Sequence, residues 1–210
     1  MRVLIIFIFL TQILFFSYAG KEEIPSLIEE ANYYIRGGQL EEAIQIYKQV
    51  LKINPNHDLA HLQLGNLYLK KGNYNQAIRY FLGLLKIKPD SFLANFNLGL
   101  AYLNKKDYRR AIYYFNKAKD IYPENYRVYY QLGLSYYLKR DYQQAVNAYR
   151  KCIELNPELD KAYIGLIGAY YKAGQKSQAL KEIRKLRIRG KTDLAESLSI
   201  WIRTKEGRGF

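Results

Sequence analysis

The chain has 210 residues, 49% of them hydrophobic, which is enough to build a core and too apolar for a disordered chain. Its 33 Lys and Arg against 19 Asp and Glu leave a net charge of +14, so the classes of partner it admits are nucleic acid, an anionic membrane surface and acidic protein, unless the lysines simply solvate outer faces. A single cysteine excludes an internal disulfide framework.

Residues 1–19 read as an export leader. Arg2 supplies a positive start, Val3 to Phe16 is apolar except for Thr11 and Gln12, and Ser17-Tyr18-Ala19 places small residues where a signal peptidase looks. Cleavage is expected before Gly20, with 20–23 as a short linker. The apolar run is shorter than the ~20 residues that span a bilayer comfortably. If retained, residues 3–19 would act as an N-terminal anchor. No cysteine lies near the cleavage point, so a lipidated N-terminal Cys is excluded.

From Ile24 onward one pattern repeats. Pro55, Pro89, Pro123 and Pro157 stand 34 residues apart. Between them come Leu64-Gly65-x-x-Tyr68, Leu98-Gly99-x-x-Tyr102 and Leu132-Gly133-x-x-Tyr136, each followed by Ala77-x-x-x-Phe81, Ala111-x-x-x-Phe115 or Ala145-x-x-x-Tyr149. Setting each proline at position 32 divides the chain into 24–57, 58–91, 92–125, 126–159 and 160–193. Apolar or small residues at positions 4, 7, 8 and 11 recur at helical spacing, which predicts a first helix with one buried face. Gly38, Gly72 and Gly174, with Lys106 and Arg140 in the other two repeats, mark a turn to a second helix. Each proline ends that second helix, because the residue before it is driven out of the α region. A lone helical hairpin cannot bury its apolar faces, so neighbouring repeats must stack. The outer repeats are degenerate: Glu30 replaces a Leu in the first, while Ile167, Ile183 and Lys191 replace Gly, an aromatic residue and Pro in the fifth. Leu194, Leu198 and Trp201-Ile202 then predict a capping helix over 194–203, followed by a loose tail, 204–210.

The 34-residue period and these residues resemble the tetratricopeptide repeat family. The resemblance implies an all-α fold, a right-handed α-solenoid of five helix-turn-helix units plus the C-terminal cap, acting as a non-catalytic scaffold that binds a protein or peptide. The family's Trp at position 4 is replaced by Leu27, His61, Asn95, Tyr129 and Tyr163.

In such a solenoid positions 2, 5, 9 and 12 of the first helices line the concave wall. Here that predicts a groove from Ile28, Asn32, Leu62, Asn66, Leu69, Phe96, Leu100, Leu103, Arg127, Tyr130, Leu134, Tyr137, Lys161 and Tyr171. It is apolar and aromatic in the middle and basic toward its C-terminal end. Aromatic side chains give large contact area at low entropic cost, and the two asparagines could bond a peptide backbone. A clamp for the carboxylate terminus of heat-shock chaperones is not expected, because Ile28 stands where such relatives carry Lys.

No catalytic set, cofactor or metal site is expected. His57 and His61 are four apart, but no third His or Cys is near, and there is no glycine-rich phosphate loop. Cys152 falls at a position held by Val50, Leu84, Ala118 and Leu186 in sister repeats and reads as a small core residue. Lys172 to Arg208 holds eleven Lys and Arg against four acids, with Arg184, Lys185, Arg187 and Arg189 as a basic patch. Behind an export leader its expected partners are anionic lipid headgroups, acidic envelope polymers or an acidic protein. Nucleic acid would need the cytosol, which residues 1–19 argue against. The expected location is the periplasm or cell envelope. The competing readings are a membrane-tethered assembly factor of a secretion, pilus or outer-membrane system, and a cytosolic scaffold with nucleic-acid or signalling partners. The sequence leaves the oligomeric state open.

Overall fold

The four ladder prolines act where the sequence places them. The residue before each is extended: Asn54 (φ −132°, ψ 94°), Lys88 (−130°, 86°), Tyr122 (−137°, 83°) and Asn156 (−143°, 89°). A helix ends immediately before every one of them. The computed structural model describes residues 22–207, and among these all regular structure is helical. The expected leader and most of the expected linker lie outside the described residues. Residues 22 and 23 already belong to the first helix rather than to a linker.

Eleven helices follow in order among the described residues: α1 (22–36), α2 (Leu40–Ile53), α3 (Asp58–Lys70), α4 (Tyr74–Ile87), α5 (Phe92–Asn104), α6 (Tyr108–Ile121), α7 (Tyr126–Leu138), α8 (Tyr142–Leu155), α9 (Asp160–Lys172), α10 (Lys176–Ile188) and α11 (Thr192–Gly207). The first ten form five helix-turn-helix pairs on the 34-residue stride.

Inside each pair the turn needs one left-handed residue. Gly38, Gly72 and Gly174 supply it at φ 75°, 74° and 75°, and Lys106 and Arg140 are forced into it at 62° and 68°. The backbone then closes the same way each time; for example, Asn73 N–H reaches the Tyr68 carbonyl at 2.9 Å and Asp141 N–H the Tyr136 carbonyl at 2.9 Å. Helix starts are capped by short polar side chains. Asn73 accepts from Gln76 N–H at 3.3 Å, Ser91 from Ala94 N–H at 3.2 Å, and Asp107 from Arg110 N–H at 3.1 Å. His57 caps α3 in the same way, its Nδ1 accepting from Ala60 N–H at 3.2 Å.

The chain divides into two units at Ala101–Tyr102. In the first, Leu27, Ala31, Ile44, Tyr47, Val50 and Leu64 belong to one buried cluster. Gly65 lets Phe81 into α3: a Cβ added there would lie 2.3 Å from the ring. In the second unit the core runs from Ala145 and Tyr149 through Leu166, Ile167, Ile183 and Leu186 to Ala195 and Ile202 of α11. Tyr149 is seated between two glycines, and a Cβ on Gly133 or Gly165 would stand 2.7 or 2.4 Å from it. Burying such a ring is worth about 2–3 kcal/mol. The exposed ion pairs, such as Lys151–Glu154 at 2.7 Å, are worth about 0–1 kcal/mol each, so packing decides the fold.

The last helix differs from expectation. α11 spans Thr192–Gly207, so 204–207 is helical rather than loose. It contacts α9 as α9 contacts α7, in addition to α10. It therefore takes the place that the first helix of a sixth repeat would occupy.

Candidate functional site

In the second unit the repeat register sets side chains from three helices side by side. Tyr130, Leu134 and Tyr137 come from α7, Lys161, Ile164 and Gly168 from α9, and Leu198 and Trp201 from α11. With Tyr149 and Gly165 at the back they line a hollow of about 360 Å³. Tyr130, Ile164 and Leu198 are spaced by 34 residues, so α11 continues the wall in register. Two glycines make the space. Gly165 leaves room for Tyr149, and an added Cβ at Gly168 would only touch Tyr137, at 3.7 Å.

The surface of this hollow is aromatic with one cation at its edge. Tyr130 meets Tyr149 edge-on at 6.0 Å, and Tyr137 meets Tyr142 edge-on at 5.6 Å. Burial raises the pKa of the Tyr130, Tyr137 and Tyr149 hydroxyls, so all three are neutral phenols at pH 7. Lys161 is exposed at the rim. Such a site offers apolar contact, phenolic hydrogen bonds and one positive charge.

Of the residues expected in a groove, Tyr130, Leu134, Tyr137 and Lys161 come together here. Tyr171 instead receives Trp201 edge-on at 5.1 Å, so α11 covers it. Arg127 is exposed and lies over the Tyr126 ring at 5.9 Å. Leu103 is half-buried. In the first unit Ile28, Asn32, Leu62, Asn66, Leu69, Phe96 and Leu100 are half-buried. The asparagine carbonyls are already engaged there: Tyr47 OH donates to Asn32 Oδ1 at 3.1 Å, and Asn97 Nδ2 donates to Asn66 Oδ1 at 2.8 Å. Each carbonyl keeps its second lone pair.

The hollow also contains residues the groove pattern omits. Tyr149 reads as core from its second-helix position, and Gly165 lies at position 6, outside the expected wall. Leu198 and Trp201 read only as a cap. The signal that finds Leu198 is the 34-residue step from Ile164.

Two of the four residues of the expected basic patch are engaged within the chain. Arg189 donates to Tyr163 OH and stacks over its ring at 5.8 Å. Lys185 pairs with Glu182 at 2.8 Å. Arg184 and Lys185 share the outer face of α10 with Lys181 beside Ile188, which is 85% exposed. Both histidines are engaged by backbone, His57 as the α3 cap and His61 through Nε2–H to the Pro55 carbonyl at 2.9 Å. Cys152 is fully buried and its thiol is pushed up to about 12 by burial.

Family models described as tetratricopeptide repeat match residues 62–126 and 126–159, and one described as TPR repeat matches 31–72. No curated protein matches the sequence. Among solved structures, a MamA protein superposes with a TM-score of 0.76 at 28% identity, covering 80% of this chain and 92% of that one. MamA residues 41 to the end from Desulfovibrio magneticus RS-1 give 0.75 at 24% identity, covering 81% and 96%. YrrB, described as a TPR protein with an unusual peptide-binding site, gives 0.72 at 20%, covering 85% and 93%. These likenesses establish a helical repeat fold. Taken with the 34-residue stride, the left-handed turn in every pair and the matches that together run from residue 31 to 159, they make the chain a member of the tetratricopeptide repeat family.

Proposed function

We propose that the chain is a non-catalytic adaptor of the cell envelope that holds a peptide segment of another protein in the aromatic hollow of α7, α9 and α11. The observation that carries this reading is the hollow itself. A volume of about 360 Å³ suits one large apolar side chain, and Tyr130, Tyr137 and Trp201 supply its walls. Lys161 at the rim favours a carboxylate next to that side chain. The envelope location rests on the leader-like pattern of residues 1–19.

Selection of displayed peptides against the full-length chain tests the site. Selected peptides are expected to carry an aromatic or large aliphatic residue beside an acidic one. Gly168→Leu fills the hollow without a backbone clash, and Tyr137→Ala removes one wall. Each is expected to weaken the selected peptides at least tenfold, Gly168→Leu with little change in melting temperature and Tyr137→Ala with a lower one, since its ring packs against the core. Peptides that bind both variants as tightly as the original chain would place the site elsewhere. N-terminal sequencing of the exported protein tests the location, with Gly20 expected as the first residue.

A further inference from the structure

A second groove lies in the first unit, lined by α2 and α4 together with Pro55, Asn56 and His61. Along α4, Ile78, Arg79, Leu82, Gly83 and Lys86 form a single stripe at spacings of one, three, one and three residues. Facing it on α2 are Lys48, Leu51 and Lys52, and Lys52 and Lys86 hold the same place in successive repeats. The groove encloses about 1030 Å³. Gly83 makes room for the His61 ring, which lies 2.5 Å from an added Cβ, where sister repeats carry Gln49, Lys117, Lys151 and Lys185.

The chemistry of this groove is one-sided. Lys48, Lys52, Arg79 and Lys86 line it and no carboxylate does. None of the four is ion-paired among the described residues, although exposed lysines elsewhere in the chain, such as Lys71 with Glu41, are. Beside the cations the lining is partly apolar, from Leu51, Ile78 and Leu82, and partly polar, from Asn56, His61, Asn75 and Tyr80.

We propose that this groove docks an acidic amphipathic helix of a partner protein. The apolar stripe of the partner would lie on Leu51 and Leu82, and its carboxylates would reach the two rows of cations. From Asn75 to Lys86 the α4 side of the groove is about 16 Å long, which matches three turns of an α-helix. Apolar lining beside cations is what an amphipathic helix complements. A nucleic acid backbone has no use for the apolar part, and a bilayer surface cannot enter a groove. The proposal is independent of the aromatic hollow, which lies in the other unit.

The test uses a labelled twelve-residue peptide of leucine and glutamate, with leucines at i, i+3, i+4 and i+7, and fluorescence anisotropy on the full-length chain. Lys52→Glu/Lys86→Glu is expected to raise its Kd at least tenfold. Lys181→Glu/Arg184→Glu, which changes the net charge equally on α10, is expected to change it less than twofold, as is Tyr137→Ala. A peptide of the same composition with its leucines on alternate residues, and a twelve-residue polyglutamate, are expected to bind at least fivefold more weakly. Added salt should weaken the amphipathic peptide because the rims are exposed. Equal weakening by the two charge reversals would overturn the proposal. So would equal binding of polyglutamate, or stronger competition by a twelve-nucleotide oligothymidine or by phosphatidylglycerol vesicles. Circular dichroism melting of each variant separates a lost contact from a lost fold.

Discussion

At the scale of single residues, missing side chains do as much as present ones. Gly65 is occupied by its neighbour's ring, since a Cβ would fall 2.3 Å from Phe81. Gly65→Ala must therefore push α3 and α4 apart or turn Phe81 out of its rotamer. Urea denaturation is expected to show a loss of about 2 kcal/mol; an unchanged midpoint would mean that the ring moves without cost. Asp107 shows the opposite case, a side chain whose polar atoms matter. The Arg110 backbone N–H and then the Arg110 guanidinium hold its carboxyl below the usual range. A depressed carboxylate stabilises the fold above its unfolded pKa of about 3.9, and that stability drains away as pH falls through the lower folded value. Asp107→Ala should then cost about 1 kcal/mol at pH 7, with the difference from the original chain shrinking below about pH 4. A gap that stayed constant down to pH 2 would contradict the cap. The repeat glycines were legible because they recur with the period. Gly165 was not, because it occurs once, and a glycine inside a helix reads as a propensity loss rather than as room for a neighbour.

At the scale of helices, the turn inside each pair is a single recurrent device, and two repeats use it at a disadvantage. Lys106 and Arg140 sit at φ 62° and 68°, where a Cβ is strained by about 1–2 kcal/mol. Arg140→Gly relieves that strain but gives the unfolded chain more freedom, which takes back about 0.5–1 kcal/mol. The variant is expected to gain about 0.5 kcal/mol in denaturant unfolding, and a loss would show that the Arg140 side chain makes a contact of its own. Helix ends were readable wherever a proline followed, as after α2, α4, α6 and α8. The end of α11 was not, because its last turn is polar and has no proline to stop it. The sequence pattern also showed that α11 covers the final face. It did not show that the helix stands as a sixth first helix, since that follows from its contact with α9.

At the scale of the molecule, charge works against compactness. A net +14 means that cations repel one another across the surface, while the exposed ion pairs return little. Raising ionic strength from about 0.02 to 0.3 M shortens the screening length to under ~10 Å. The melting temperature is expected to rise by roughly 2–4 °C, the equivalent of about 1 kcal/mol for a chain of this size. A fall would indicate that the ion pairs outweigh the repulsion. The fold was legible almost throughout, because the stride is written in residues that only stacking explains. The binding surfaces were less so. A period predicts which positions share a wall, but not which asparagine is already bonded within it or which wall a terminal helix extends.

Trp201 is the chain's one tryptophan, and it stands at the wall of the hollow with its indole edge-on to Tyr171. Excitation at the red edge of the absorption band therefore selects one indole, already in place, whose emission colour follows how wet that wall is. An occupant that displaces water there would announce itself as a blue shift in unlabelled protein, while a chain engaged only along α2 and α4 would leave the spectrum where it was.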